Sequence, residues 1–179
     1  PMGPPSPEVR PRAAPFPIEE TFLLHSRPGS PRRIYLDFDG HTTSGTPWNS
    51  SRGPFNSAPW SVDDDPDSWN LVEHERIQRV WQRVAEDFAP YNVDVTTQDP
   101  GTEALRRQNS GDQEYGIRVV ISPTYEWYGS AGGVAFVGSF DWSTDTPCYA
   151  FSRALLDEEK YIAEAVTHEV GHTLGLQHD

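Results

Sequence analysis

The sequence predicts an α+β fold in which two long helices cover a mixed sheet. Along the chain, the predicted elements are a strand, a helix, three or four further strands and a last helix, an order typical of a sheet covered by a helical layer. The chain has 179 residues, the size of one ordinary domain with room for a tail. Both helical segments carry cap or stop signals at their ends.

The first 31 residues predict an extended arm or linker. They contain nine of the 17 prolines, and proline fits neither a helix interior nor a central strand. The segment lacks the apolar stretch of a signal peptide, and a propeptide remnant is an open alternative. We expect the folded domain to span residues 32–179. Its first strand is predicted at residues 33–40, where apolar and polar side chains alternate, and residues 41–68 form a long polar connection.

The first helix is predicted over residues 70–89. Asn70 is a candidate N-cap with Glu73 three residues later, and Pro90 ends the helix. Apolar residues recur at three- and four-residue steps and form one stripe for burial. The residues of this stripe are Ile77, Val80, Trp81, Val84 and Phe88.

Four short strands and a second helix follow. The strands are predicted at residues 93–96, 116–121, 133–138 and 147–151. The last helix is predicted from Leu155 to Leu174, with acidic residues in its first turn, where the helix dipole favours them. Gly175 is its expected end.

Charge and hydropathy argue against two kinds of partner. The chain has 14 Lys and Arg against 27 Asp and Glu, a formal net charge of −13, and no basic face for phosphate backbones or anionic lipids is visible. No stretch approaches the roughly 18 consecutive apolar residues of a transmembrane helix. We therefore expect no nucleic-acid partner and no membrane span, and the sequence leaves the oligomeric state open.

The last twelve residues contain a pattern typical of a catalytic zinc site. His168 and His172 are four residues apart and share one helix face. Glu169 follows the first histidine, where it can act as a general base. Gly175 lets the chain leave the helix in a left-handed conformation that can return His178 to the same ion. Three neutral imidazoles leave the fourth position of a tetrahedral Zn²⁺ open to water, as in catalytic sites.

A surface helix with incidental histidines is the alternative interpretation of this segment. By chance, HExxH would occur in about one such chain in seventy, and requiring Gly175 and His178 makes the match about 400-fold rarer. A solvated helix also gains nothing from Gly171, which costs about 1 kcal/mol relative to Ala in a helix interior. The pattern therefore favours a metal site.

The motif HExxHxxGxxH, followed directly by Asp179, resembles the zinc signature of the metzincin metallopeptidases, in particular the adamalysin/reprolysin branch. The order of elements from Arg33 onward is also similar to the metzincin N-terminal subdomain. The resemblance implies a twisted, mixed five-stranded sheet with a backing helix and an active-site helix. It also implies a secreted, zinc-dependent endopeptidase that acts on proteins or peptides.

The resemblance assigns roles to single residues. It implies that the zinc ligands are His168, His172 and His178 and that Glu169 is the base. Asp179 is a candidate to anchor the turn after the third histidine, with a plain C-terminal cap as the alternative. The edge strand would pair with an extended substrate through main-chain hydrogen bonds. Its candidate residues are Gly133, Val134, Ala135, Phe136 and Val137.

Two other functions stay open alongside the endopeptidase. One is a catalytically inactive, partner-binding extracellular module on the same fold, against which the intact Glu169 argues. The other is a zinc hydrolase that acts on a non-peptide amide. Metzincins also have a C-terminal subdomain with a methionine turn, whereas the only methionine here is Met2. We expect the remaining part to be truncated, cleaved or supplied by another chain.

Acidic segments make Ca²⁺ a second candidate cofactor. Four of the residues 63–67 are aspartates, and carboxylate oxygens are calcium ligands. A solvated acidic loop before a helix is the favoured alternative. Further candidate calcium ligands are Asp37, Asp39, Asp141 and Asp145.

Overall fold

The computed structural model describes residues 13–63 and 65–178. Within them, two helices, α1 (Leu71–Asp87) and α2 (Glu159–Thr173), pack against each other and share one core with a five-stranded sheet. The strands are β1 (Arg32–Asp37), β2 (His41–Thr43), β3 (Phe55–Ser57), β4 (Asp94–Thr96), β5 (Tyr115–Ser122), β6 (Gly133–Val134) and β7 (Cys148–Phe151). The predicted α+β class is confirmed. No helix in this part of the chain has both the length and the apolarity to cross a membrane.

The five-stranded sheet is mostly parallel. Its order is β4-β1-β5-β7-β6, and only β6 runs antiparallel to its neighbour. In this edge pair Gly133 lies opposite Ala150, and Val134 lies opposite Tyr149. Strands β2 and β3 form a separate antiparallel hairpin inside the predicted connection of residues 41–68.

Helix α1 forms as its sequence predicts. The Asn70 side chain accepts hydrogen bonds from the backbone N–H groups of Val72 and Glu73, and the Glu73 carboxylate accepts one from the Asn70 N–H. This reciprocal cap satisfies donors that the first helical turn leaves free. The whole predicted apolar stripe is buried: Ile77, Val80, Trp81, Val84 and Phe88.

The core lies between the sheet and the two helices. Alternate residues of the central strands point into it, and α2 contributes a continuous buried stripe. The fully buried strand residues include Ile34, Leu36, Val119 and Ile121, and those of α2 include Ile162, Val166 and Val170. One face of α2 is therefore fixed in the core while another stays open for chemistry.

The predicted edge strand at residues 133–138 is too long. Only Gly133–Val134 pair with β7. Gly138 then adopts φ +76°, and its N–H donates to the carbonyl of His172 on α2 at 2.9 Å. An apolar segment with a glycine at each end predicts one strand here, but the turn at Gly138 and its bond to the helix bend the chain away from β7.

The predicted start of the last helix, at Leu155, is also wrong. Residues Ser152–Leu155 form a short 3-10 helix, and Leu156 and Asp157 then take positive φ values of 60° and 52°. Positive φ interrupts a right-handed helix, so α2 begins at Glu159. The Arg76 guanidinium of α1 donates a hydrogen bond to the Asp157 carbonyl at 3.1 Å and stabilises the backbone between the 3-10 helix and α2.

The described part of the proline-rich arm packs against the domain. The Phe16 ring meets the Trp81 ring edge to face, with centroids 5.4 Å apart, and its N–H donates to the Gln78 side chain. Thr21 is buried, and its carbonyl accepts a hydrogen bond from the Thr97 hydroxyl. These contacts tie residues 13–31 to α1 and the end of β4, and the domain boundary at residue 32 stays a prediction.

His25 in the arm should make stability depend on pH. Its Nδ1 lies 2.6 Å from a carboxylate oxygen of Asp94, and its Nε2 lies 2.8 Å from the side-chain oxygen Oε1 of Gln98. Burial lowers the pKa of His25, but these two hydrogen bonds and the Asp94 charge outweigh it, so the pKa lies above its ordinary 6.5. A raised folded-state pKa stabilises the protein below pH 6.5, and this contribution is lost as pH rises through the raised value.

The measurement is thermal unfolding of the wild type and of His25→Gln from about pH 5.5 to about pH 8.5. The Tm advantage of the wild type over the variant should shrink as pH rises. His74 on α1 provides a matched control, because burial lowers its pKa. The same comparison with His74→Gln should show the opposite trend. If the Tm difference between the wild type and His25→Gln grew with pH, the raised pKa of His25 would be contradicted.

Candidate metal centre

The candidate metal centre is built on the last two turns of α2. His168 and His172 lie on the helix face that the core leaves open, while Val166 and Val170 are fully buried. The four-residue step brings the two imidazoles together, with ring centroids 4.5 Å apart. The buried stripe therefore sets the direction in which both histidines point.

The turn after α2 returns His178 to the same place. Gly175 has φ +100°, its N–H donates to the His172 carbonyl, and the Leu176 N–H donates to the Gly171 carbonyl. This pair of bonds is a Schellman motif, which reverses the chain at a helix end and needs a residue with positive φ. The predicted role of Gly175 in ending the helix is confirmed.

Three imidazole nitrogens converge on one point. The Nε2 atoms of His168, His172 and His178 are separated by 2.9, 3.0 and 3.1 Å. Two nitrogens bonded to one tetrahedral zinc at about 2.0–2.1 Å lie about 3.3–3.4 Å apart, slightly more than these separations. Among the described residues, these three histidines form a group whose side chains are close enough to share a metal ion.

Hydrogen bonding selects the tautomer of His172. Its Nδ1 lies 2.8 Å from the Leu176 carbonyl, which is an acceptor only, so Nδ1 carries the proton and Nε2 keeps a lone pair. Burial, together with the charges of the other two histidines, lowers the pKa of His168 and favours its neutral form. Imidazole nitrogens that converge on one point form a donor set that suits zinc.

Glu169 lies beside this triad and is buried between α2 and the sheet edge. The residue is 6% exposed, and no donor in the described residues forms a hydrogen bond to its carboxylate. Burial raises the pKa of Glu169 to about 7, against a smaller lowering effect of His172. A carboxyl group with a pKa near neutrality can both accept and return a proton.

An open cleft of about 540 Å³ connects the triad with the edge strand. Its lining includes the three histidines and Glu169 on one side and β6 on the other. The remaining lining residues are Tyr128, Ala135, Val137 and Gln177. The edge strand and the histidines therefore border the same cleft.

The family comparison agrees with this arrangement. Residues 70–179 match the reprolysin-like metallopeptidases of family M12B, over a range that starts at the cap of α1 and includes the whole triad. The chain belongs to this family. It has no significant match among curated proteins or among solved structures. The metzincin resemblance of the motif is therefore confirmed at the level of the family.

The structure brings most of the predicted site residues of this metallopeptidase together. Four of the five candidate edge-strand residues line the cleft, whereas the Phe136 ring packs on Trp48 with centroids 4.1 Å apart. Asp179 lies outside the described residues. Tyr128 also lines the cleft and is half exposed, but it is not among the site residues predicted from the sequence. It lies in a loop, and the aromatic residues of that loop are the feature that could have indicated a binding surface.

Several of the predicted calcium ligands have other partners in the structure. Asp37 and Asp145 both bind the Arg118 guanidinium, at 2.7 and 3.0 Å, and the exposed Asp141 binds Arg107. In the acidic loop, Asp63 accepts hydrogen bonds from the Ser61, Asp65 and Asn70 groups that precede α1. Arginines bind three of these carboxylates, and neutral hydrogen-bond donors of the local turn bind Asp63. Nothing in the described residues supports the calcium prediction.

Replacing Gly175 by Ala should destabilise the protein by about 1–2 kcal/mol, because a side chain makes positive φ unfavourable. A Cβ there would meet no atom within 4 Å, so the cost is conformational rather than steric. Chemical denaturation measures it. Gly171→Ala is the matched control, since its Cβ would make an ordinary 3.4 Å contact with Leu176 and alanine favours the helix. Equal effects of the two substitutions would contradict the backbone argument.

Proposed function

We propose that this chain is the zinc-binding part of a secreted endopeptidase that hydrolyses peptide bonds of protein substrates. The observation that carries the proposal is the convergence of three imidazole nitrogens beside a buried glutamate, in a cleft bordered by a sheet edge. Zinc bound at such a site polarises a carbonyl group and lowers the pKa of a water molecule. The location outside the cell rests on the family and has weak support from the acidic composition.

His168, His172 and His178 are the proposed ligands. The hydrogen bond from His172 Nδ1 to the Leu176 carbonyl fixes one ring, and the Schellman turn fixes the position of His178. Such outer contacts keep ligand rings oriented and set their tautomer. The three residues come from one helix and the turn that follows it, so little reorganisation is needed when the metal binds.

Glu169 is the proposed general base. A carboxylate oxygen takes a proton from the attacking water and later passes it to the nitrogen of the leaving amine. Burial raises the pKa of this carboxyl group, and a raised pKa favours uptake of the proton from water. Burial also keeps bulk water away from the carboxylate, which strengthens its interaction with the reacting groups.

The edge strand β6 is the proposed docking site for the substrate backbone. In the described residues β6 pairs with β7 on one side only, and the other side faces the cleft that the histidines line. An extended peptide can add to such an edge through main-chain hydrogen bonds. This mode suits an enzyme that accepts many sequences.

The test is cleavage of casein or a quenched peptide library. We expect cleavage that stops on chelation, returns with added zinc and is blocked by a hydroxamate. Peptide binding without turnover would instead support the inactive module, and cleavage of non-peptide amides alone would support the second alternative. Either outcome overturns the endopeptidase proposal.

A further inference from the structure

Gly133 lies where a side chain would strike the proposed base. A Cβ built on Gly133 would be 2.7 Å from Cγ and 2.8 Å from Oε1 of Glu169, and 2.6 Å from the Tyr149 carbonyl oxygen. Real Cβ atoms essentially never come this close to other atoms, so any larger residue must displace one of these groups. The Gly133 φ is not in the left-handed region, so the backbone conformation alone does not require glycine here.

The Glu169 carboxylate depends on its walls for orientation. It is almost fully buried, and no donor in residues 13–63 and 65–178 forms a hydrogen bond to it. On the sheet side, the Cβ position of Gly133 lies between the Glu169 side chain and the Tyr149 carbonyl of β7 and is less than 3 Å from both. With no hydrogen bond to hold it, the side chain takes the direction that close packing permits.

We propose that Gly133 is a positioning residue for Glu169: by lacking a side chain, it leaves room for the carboxylate between α2 and the edge strand and so keeps it directed at the cleft. The same glycine belongs to β6, so one residue couples the proposed substrate-docking strand to the proposed base. The role of Glu169 as a base rests on the proposed function. The steric contact between Gly133 and Glu169 does not depend on that function.

The kinetic test compares Gly133→Ala with the wild type on a peptide substrate. Displacing a catalytic group by about 1 Å costs about 100-fold in rate, so we expect kcat to fall by about 10- to 100-fold. KM should change by no more than about twofold, and the zinc content should be unchanged, because the three atoms nearest to the new methyl group belong to Tyr149 and Glu169 and not to the histidines. Gly53→Ala is the control: its Cβ would meet nothing within 4 Å, and wild-type kcat is expected.

A purely structural role predicts a different result. If the methyl group acted only on Tyr149, β6 would separate from β7, and KM would rise because the docking strand is displaced. A raised KM with unchanged kcat would therefore overturn the positioning role. Unchanged values of both would overturn it as well.

A double-mutant cycle tests the contact without metal or activity. Thermal unfolding is measured in the zinc-free wild type, Gly133→Ala, Glu169→Ala and the double variant. Overpacking of this kind should lower Tm by about 3–10 °C in the presence of Glu169, and by less than half as much in the Glu169→Ala background, where Cγ and Oε1 are absent. An equal loss in both backgrounds would place the clash at Tyr149 and overturn the inference.

Failure to fold is also informative. If Gly133→Ala does not fold but the double variant does, the contact with Glu169 is the cause and the inference holds. If neither folds, the Tyr149 clash dominates and the inference fails. A coupled cycle in a protein that cleaves no peptide would keep the contact and reject the proposed function, so the two failures are distinguishable.

Discussion

Replacing Glu169 by Ala is expected to reduce kcat by about 10²- to 10⁴-fold while zinc binding is retained, because a general base contributes about that much to the rate. The residue is not one of the converging nitrogen ligands, so its loss leaves the three imidazoles in place. Peptide cleavage measures kcat, and the metal content of the dialysed protein measures zinc.

Glu164→Ala is the matched control for this substitution. Glu164 lies on the same helix and is exposed, and its one ion pair within residues 13–63 and 65–178 is with Lys160, at 3.6 Å. Exposed pairs of this kind contribute little, so wild-type cleavage is expected. Normal turnover by Glu169→Ala would refute its assignment as the base, and a loss of zinc would show that the carboxylate supports the metal.

Replacing His172 by Ala should abolish both zinc binding and the stabilisation that zinc provides. Its Nε2 lies within 3.1 Å of the corresponding atom of both other histidines, so it is one third of the donor set. Metal at about 100 times its Kd stabilises a protein by about 2.7 kcal/mol, which corresponds to about 5–10 °C in Tm for a chain of this size. Thermal unfolding with and without zinc measures this rise, which the variant should lack.

His74→Ala serves as the control for the histidine substitution. His74 lies on α1, where its ring packs on Phe22, outside the triad. Whatever its effect on the baseline Tm, this variant should keep the zinc-dependent rise. A rise retained by His172→Ala would contradict the three-histidine site.

Helix α1 shows what could be predicted from local sequence. Its cap, its buried stripe and its end before Pro90 agree with the prediction to within two residues at either end. The reason is physical: the reciprocal Asn70–Glu73 bonds and the spacing of apolar residues act within a few residues of sequence. The histidine pair on α2 and the glycine turn were predictable for the same reason.

The boundaries of β6 and α2 were not predictable in this way. The Gly138 N–H bonds to His172, and Arg76 bonds to the Asp157 carbonyl, so each boundary depends on a residue more than thirty positions away. The packing of residues 13–31 on α1 likewise depends on Gln78 and Trp81. Residue patterns in one segment carry no information about such partners.

By itself, the sequence determined the α+β class, the two helices and the identity of the three converging histidines, because spacing on a helix and a glycine turn impose that geometry locally. Only the tertiary structure decided that Glu169 is buried against the sheet edge, that Gly133 makes room for it and that the strand ends at Val134. These features arise where α2 packs on the β6–β7 pair, and close packing depends on atoms that are distant in the chain.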